Sequence, residues 1–242
     1  MSVTEIITNR IEGFESGKLF SYQDFQLPST NMEAMAAAFS RLASKGVIKR
    51  FARGKYFKPQ KGIFGEVPLK ENQILESVLR VKGKLTGYMT GAVVYNQMGL
   101  TTQMANQYTI ASDKFRKPIQ QGRINIRFVK TYSDIIEKDI PLLQLLDAVK
   151  DINSIPGIES NAALELIKIK LRELPLDQQK KLGQLVLNYP PAVRALIGAM
   201  LELNFPDNSI VNRLYTSLNL LSKYSVGIKK NTLPNRDKWR IE

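Results

Sequence analysis

Val47-Ile48-Lys49-Arg50-Phe51-Ala52-Arg53-Gly54-Lys55-Tyr56-Phe57-Lys58 is the stretch on which the fold of this chain turns. Two runs of apolar residues interleaved with cations flank Arg53-Gly54, a two-residue connection suited to a tight antiparallel hairpin. Upstream, Gly46 stops a helix that the spacing places over Asn31 to Lys45, with Met35, Phe39 and Leu42 on one stripe. Ser29 and Thr30 are good N-caps for it, and Glu33 sits in its favourable first turn. Pro28 ends a one-turn helix over Ser21 to Phe25, capped by Ser21 and preceded by a strand-like Leu19-Phe20. Val3 to Glu12 reads as the first helix, with Ile6, Ile7 and Ile11 at helical spacing. Helix, short helix, longer helix and basic hairpin follow the order of a winged helix-turn-helix. In that arrangement the third helix enters the major groove and the hairpin lies along the backbone or minor groove.

The same stretch carries an uneven charge. The chain of 242 residues has 35 Lys and Arg against 22 Asp and Glu, a net charge of +13 that suggests a polyanionic partner. Between Glu33 and Glu66 there is no acidic residue, while Arg41, Lys45, Lys49, Arg50, Arg53, Lys55, Lys58 and Lys61 all fall there. Such a one-sign run around a turn is an electrostatic footprint for nucleic acid; a solvated hairpin that is merely basic is the plain alternative.

The chain has no cysteine and no histidine. That excludes disulfide scaffolds, thiolate or imidazole metal sites, cysteine nucleophiles and histidine-based triads. No constellation of carboxylates, lysine, serine or tyrosine stands out as an active site, so no enzyme, cofactor or metal is expected. No run approaches the roughly 18 apolar residues of a spanning helix, and MSVTEIITNR is not a signal peptide. A cytoplasmic protein without membrane association is expected.

Pro59 to Pro68 holds two prolines and two glycines and reads as a connector, with the linker proper at 61–71. Helix is expected over Asn72 to Val81, a strand over Leu85 to Met89, a short helix over Ala92 to Met98, and strands over Asn106 to Ala111 and Arg123 to Lys130. Leucine-rich helices follow over Leu142 to Ile152, Asn161 to Leu174, Asp177 to Leu187, Ala192 to Asn204 and Ser209 to Tyr224, and 229–242 reads as a tail loosely held apart from Trp239. The expected class is therefore α+β. A winged helix-turn-helix occupies 1–60, and a larger, mostly helical domain with a small mixed sheet occupies 72–228.

Three motifs resist a functional reading. Gly13-Phe14-Glu15-Ser16-Gly17-Lys18-Leu19 has too few residues between its glycines for a phosphate loop, and Leu19 replaces the magnesium-holding Ser or Thr. Gly87-Tyr88-Met89-Thr90-Gly91 could present amides to an anion, but a tight turn and close packing is the commoner use. Asp147 and Asp151, and Glu137 and Asp139 about Lys138, read as surface carboxylates near lysines rather than metal ligands.

The string Arg41-Leu42, Gly46, Ile48, Arg50, Arg53-Gly54 and Tyr56, preceded by Leu19-Phe20-Ser21-Tyr22-Gln23-Asp24-Phe25, resembles the winged helix of AbiEi-type antitoxins. Thr86-Gly87-Tyr88, Thr90-Gly91, Tyr95-Asn96 and Gly99-Leu100-Thr101-Thr102-Gln103 resemble the second domain of that group, so the likeness spans roughly 1–140. The resemblance implies a DNA-binding antitoxin that represses its own toxin–antitoxin operon and counteracts a nucleotidyltransferase-like toxin, bound directly or opposed at its target. The alternative is a winged helix serving as a protein- or RNA-interaction module without an operator. Contacts to duplex operator DNA are placed on Thr30, Asn31, Ser40, Arg41, Lys49, Arg50, Arg53, Gly54, Lys55 and Tyr56. Arg53-Gly54 puts a planar cation at a flexible tip, Asn31 could read adenine, and Ala36, Ala37 and Ser40 let the helix approach closely. For Arg41, a phosphate contact and an internal salt bridge to Glu5 or Asp24 weigh equally.

Overall fold

The computed structural model describes residues 3–25, 32–52, 54–63, 65–81, 83–121, 123–204, 209–219 and 221–242. The class is α+β, and the chain divides into two compact units, 1–86 with 119–124 and 87–118 with 125–242.

The first unit opens with α1 (Val3–Glu12) and β1 (Leu19–Ser21), followed by a 3-10 turn over Tyr22–Phe25. The turn is fixed by Asp24 rather than capped by Ser21. Its carboxylate accepts the Ser21 amide at 2.6 Å and the Ser21 hydroxyl at 2.9 Å, because a carboxylate is the stronger acceptor of the two. Next come α2 (Met32–Ser44), β2 (Lys49–Ala52) and β3 (Lys55–Phe57). The strands form an antiparallel sheet in the order β1-β3-β2, with Phe20 opposite Tyr56 and Arg50 opposite Tyr56 on the other side. Ile7 and Ile11 of α1, and Met35, Ala38, Phe39 and Leu42 of α2, close a small core with Phe20, Phe25, Ile48 and Tyr56. It is held by edge-on rings: Phe39 meets Tyr22 at 4.7 Å, Tyr56 at 4.9 Å and Phe25 at 5.3 Å between centroids. Each such pair contributes about 0.5–1.5 kcal/mol beyond its buried area.

The stretch read as a linker holds a small exposed hairpin of β4 (Gln60–Gly62) and β5 (Gly65–Val67). After it, α3 (Glu71–Leu79) leads into the two-residue strands β6 (Arg80–Val81) and β7 (Lys84–Leu85), all within the first unit.

The second unit begins with β8 (Gly87–Thr90), α4 (Ala92–Gln97) and β9 (Tyr108–Ser112). The next strand, β10 (Ile119–Gln121), falls in the segment grouped with the first unit. β11 (Ile124–Lys130) then runs parallel to β9, while β8 runs antiparallel to it, so the sheet is mixed. Against β8 lies α5 (Ile140–Lys150), and α6 (Ser160–Glu173), α7 (Leu176–Leu185) and α8 (Pro191–Asn204) pack on α5, with α9 (Ser209–Thr216) on α7 and α8. Helices α5 and α8 are apolar nearly all round and form the centre of the core, as that pattern requires.

Two expectations about the end of the chain are corrected. α9 stops at Thr216 rather than near Tyr224; Ser217 turns its hydroxyl onto the Leu214 carbonyl at 2.6 Å and Asn219 accepts the Leu221 amide, local bonds that compete with the helix. Residues 229–242 are not loosely held. Leu233, Trp239 and Ile241 are buried, the Tyr224 amide donates to the Arg240 carbonyl at 2.8 Å, and the Glu242 amide donates to the Tyr224 carbonyl at 2.8 Å. Trp239 lies against Gly198 of α8, where an added Cβ would come within 2.1 Å of the ring, and donates its indole N–H to Glu202 at 2.9 Å. Trp239 is thus held, as the exception made for it within the tail expects. Among the described residues, no helix is long and apolar enough to cross a membrane.

Candidate nucleic-acid interface

The face of α2 that turns away from the core carries Ala36, Ala37, Ser40, Arg41 and Ser44, all exposed, and Lys45 follows, also exposed, just beyond its end. The helix thus offers a surface of short side chains with a cation at its C-terminal end. Next in the chain, β2 and β3 are joined through Gly54, whose φ of +73° a side chain would disfavour. The register slips between Arg50 and Ala52, and this bulge leaves Lys49 and Arg50 both exposed while Phe51 stays buried.

The residues expected to touch DNA meet different fates. Thr30, Asn31 and Arg53 lie outside the described residues. Ser40 and Arg50 are exposed, and Arg50 makes no ion pair among the described residues. Arg41 is exposed but donates Nη2 to the Thr4 hydroxyl at 2.9 Å, so it is steadied by α1 through a hydroxyl neighbouring Glu5. Lys49 is paired with Glu66. Lys55 gives its ammonium to the Ser77 carbonyl on α3 and reaches the Ser77 hydroxyl at 3.4 Å. Tyr56 is buried and belongs to the core. Its hydroxyl lies 3.1 Å from that of Tyr22, whose own ionisation is pushed up to about 12 by burial and by Tyr56, against the opposing charge of Arg50. Arg50 itself pairs with Tyr56 across the β2–β3 register, on the edge strand β2.

Lys58, another cation of the same run, donates to the Glu12 and Phe14 carbonyls at 2.8 and 3.3 Å and so closes the C-terminal end of α1. The exposed cations of this run that make no ion pair among the described residues are thus Lys45, Arg50 and Lys61, beside the small-residue face of α2.

In the second unit the carboxylates read as surface groups prove to be structural. Asp147 is buried and accepts the Tyr88 hydroxyl at 2.9 Å and the Tyr189 hydroxyl at 3.1 Å. Burial pushes its carboxyl above the usual range, while the Lys150 charge and these hydrogen bonds oppose the rise. Asp151 accepts Tyr95 at 2.7 Å and pairs with Lys150 at 3.1 Å. Asp139 is buried and paired with Lys181 at 3.1 Å rather than lying at the surface near Lys138. Gly87 and Gly91 serve close packing, as the sequence favoured: an added Cβ would come within 2.9 Å of Ile110 and of Thr109 respectively, and Gly91 also has φ +75°.

A cleft of about 320 Å³ opens in this unit between Gly91, Tyr95, Asn106, Arg127, Asp151 and Pro156. Sequence reading missed it because its walls come from loops far apart in the chain.

No curated protein matches the chain significantly. Among solved structures, the crystal structure of the RV2827C protein from Mycobacterium tuberculosis is similar at a TM-score of 0.48 and 9% identity, covering 91% of this chain and 83% of that one. The match to a family model extends over residues 6–174, from within α1 through the rest of the first unit and the sheet of the second, and the chain belongs to DUF6088, a family of unknown function.

Proposed function

We propose that residues 1–60 are a winged helix that binds duplex DNA, and that the protein is an AbiEi-type antitoxin that represses its own toxin–antitoxin operon. The observation that carries the reading is the outward face of α2: Ala36, Ala37 and Ser40 allow close approach to a groove, with Arg41 and Lys45 at its end and Arg50 on the following strand. Short side chains read few base edges, so shape and backbone contacts supply most of the affinity and the salt dependence is steep. The second unit, by the resemblance at Thr86 to Gln103, counteracts a nucleotidyltransferase-like toxin. A second reading has an observation of its own. Lys49 and Lys55 are occupied by Glu66 and Ser77, which thins the charge of the hairpin and favours a protein- or RNA-interaction module without an operator.

The two readings part in one experiment on the full chain. Ala37→Glu keeps the helix but sets a negative charge on the groove-facing surface. Band-shift titration against the DNA upstream of the chain's own gene, with growth measured on co-expression of the neighbouring toxin, separates repression from neutralisation. Loss of the shift with retained rescue of growth supports a two-function antitoxin. An unchanged shift refutes the α2 interface, and absence of any shift in the unaltered chain favours the interaction module.

A further inference from the structure

A second acid-free run has no part in that reading. Between Asp113 and Asp134 there is no acidic residue, while Lys114, Arg116, Lys117, Arg123, Arg127 and Lys130 all fall there. In the second unit this run supplies the loop after β9, residues 113–118, and most of β11. The parallel register sets Ser112 opposite Lys130, and the Thr131 amide donates to the Ser112 carbonyl at 3.1 Å. The start of the loop and the end of β11 therefore share one end of the sheet. The Ser112 hydroxyl bonds the Lys114 carbonyl at 2.7 Å and fixes the way the loop leaves the strand.

At this end the phenyl ring of Phe115 is 93% exposed, between Lys114 and Arg116-Lys117. Arg116 lies over the Phe128 ring at 5.5 Å, and alternation along β11 puts Phe128 and Lys130 on one side of the strand and Arg127 on the other. Lys114, Lys117 and Lys130 make no ion pair among the described residues. An open ring in one run with Lys114, Lys117 and Lys130, whose ammonium groups make no ion pair among the described residues, matches what a single-stranded nucleic acid offers, namely phosphates spaced along a strand and unstacked base faces. A duplex hides its base faces in the stack, and an acidic protein surface does not repeat a charge and a flat ring at every step as a single strand does.

We propose that Lys114, Phe115, Lys117 and Lys130 form a binding surface for single-stranded nucleic acid, with Phe115 as the platform on which a base stacks. The site is independent of the α2 surface and engages a different form of nucleic acid. RNA and DNA strands share the chemistry that it recognises, and their comparison shows whether the 2′-hydroxyl matters.

The test is fluorescence anisotropy of the full chain with labelled single strands of about 15 nucleotides, within the range that single-strand folds cover. RNA and DNA strands are compared with a duplex and with vesicles containing phosphatidylserine. Binding to at least one single strand is expected, and Phe115→Ala weakens it about tenfold. Phe115→Trp retains affinity, whereas Phe115→Leu, apolar but without a π face, behaves like Phe115→Ala. Lys114→Ala with Lys117→Ala lowers the salt slope by about 0.7 for each phosphate no longer neutralised, while Lys180→Ala, an exposed cation on α7, keeps wild-type affinity. Because Phe115 is almost fully exposed, thermal unfolding of the variants stays at the wild-type value. Single-strand affinity indifferent to Phe115→Ala, full affinity in Phe115→Leu, or binding confined to the vesicles or the duplex would each overturn the proposal. Failure of the α2 reading shows instead as loss of duplex binding alone.

Discussion

The two acid-free runs of this chain carry similar charge and spend it differently. In residues 41–61 the fold itself uses Arg41 on Thr4, Lys49 on Glu66, Lys55 on Ser77 and Lys58 on the end of α1. In residues 114–130, Lys114, Lys117, Arg127 and Lys130 are left without ion pairs among the described residues. A count of cations therefore overstates the first surface and passes over the second. What matters for a polyanion is how many cations the packing leaves to solvent, since a cation already satisfied by a carbonyl must give up that bond before it can neutralise phosphate.

The contrast predicts a graded series of stability effects, and the largest tests charge held inside the fold. Asp147→Ala leaves the buried Tyr88 and Tyr189 hydroxyls without their acceptor, and we expect a loss of about 3 kcal/mol in urea unfolding. Asp147→Asn keeps an acceptor and removes the buried charge. Burial raises the folded carboxyl above its ordinary value of 3.8, so the folded state binds the proton more tightly than the unfolded chain. This contribution to stability is greatest below the ordinary value and is lost as pH rises through the folded one. The Asn variant should lack that fall, and unfolding midpoints followed from mildly acidic to neutral pH check it.

Next in size, Lys58→Ala removes the donor that closes α1 and should cost about 1–2 kcal/mol, with Lys55→Ala close to it. Lys49→Ala breaks a solvent-accessible pair with Glu66 and should cost under about 1 kcal/mol. Lys114→Ala and Lys117→Ala should shift stability by less than about 0.5 kcal/mol. If Lys58 proved as dispensable as Lys114, the division between cations held by the fold and cations left to solvent would collapse.

The sequence was most legible where local rules decide. α1 was bounded at Val3 and Glu12 by its isoleucine spacing and the glycine that follows, and the turn at Arg53-Gly54 placed β2 and β3. It was least legible where a side chain finds its partner far along the chain. Lys55 meets Ser77, Tyr88 meets Asp147, and Trp239 meets Glu202, all across distances that no periodicity encodes. For Asp147 a faint signal existed, because it follows Leu142, Leu143, Leu145 and Leu146 on a helix with little polar face. The hairpin at 60–67 was hidden because the prolines and glycines that mark a linker also make a turn. Of the candidate interface, the exposed α2 face could be read from helical spacing; the occupation of Lys49 and Lys55 could not.

The central claim is that duplex DNA is bound through the α2 face and Arg50, the exposed β2 cation that has no ion pair among the described residues. It is tested most directly by anisotropy titrations of the full chain against duplex DNA over a range of salt, comparing wild type with Arg50→Ala. The account predicts weaker binding to every sequence tried and a salt slope shallower by about 0.9, as expected when one phosphate fewer is neutralised. Unchanged affinity together with an unchanged slope would contradict it.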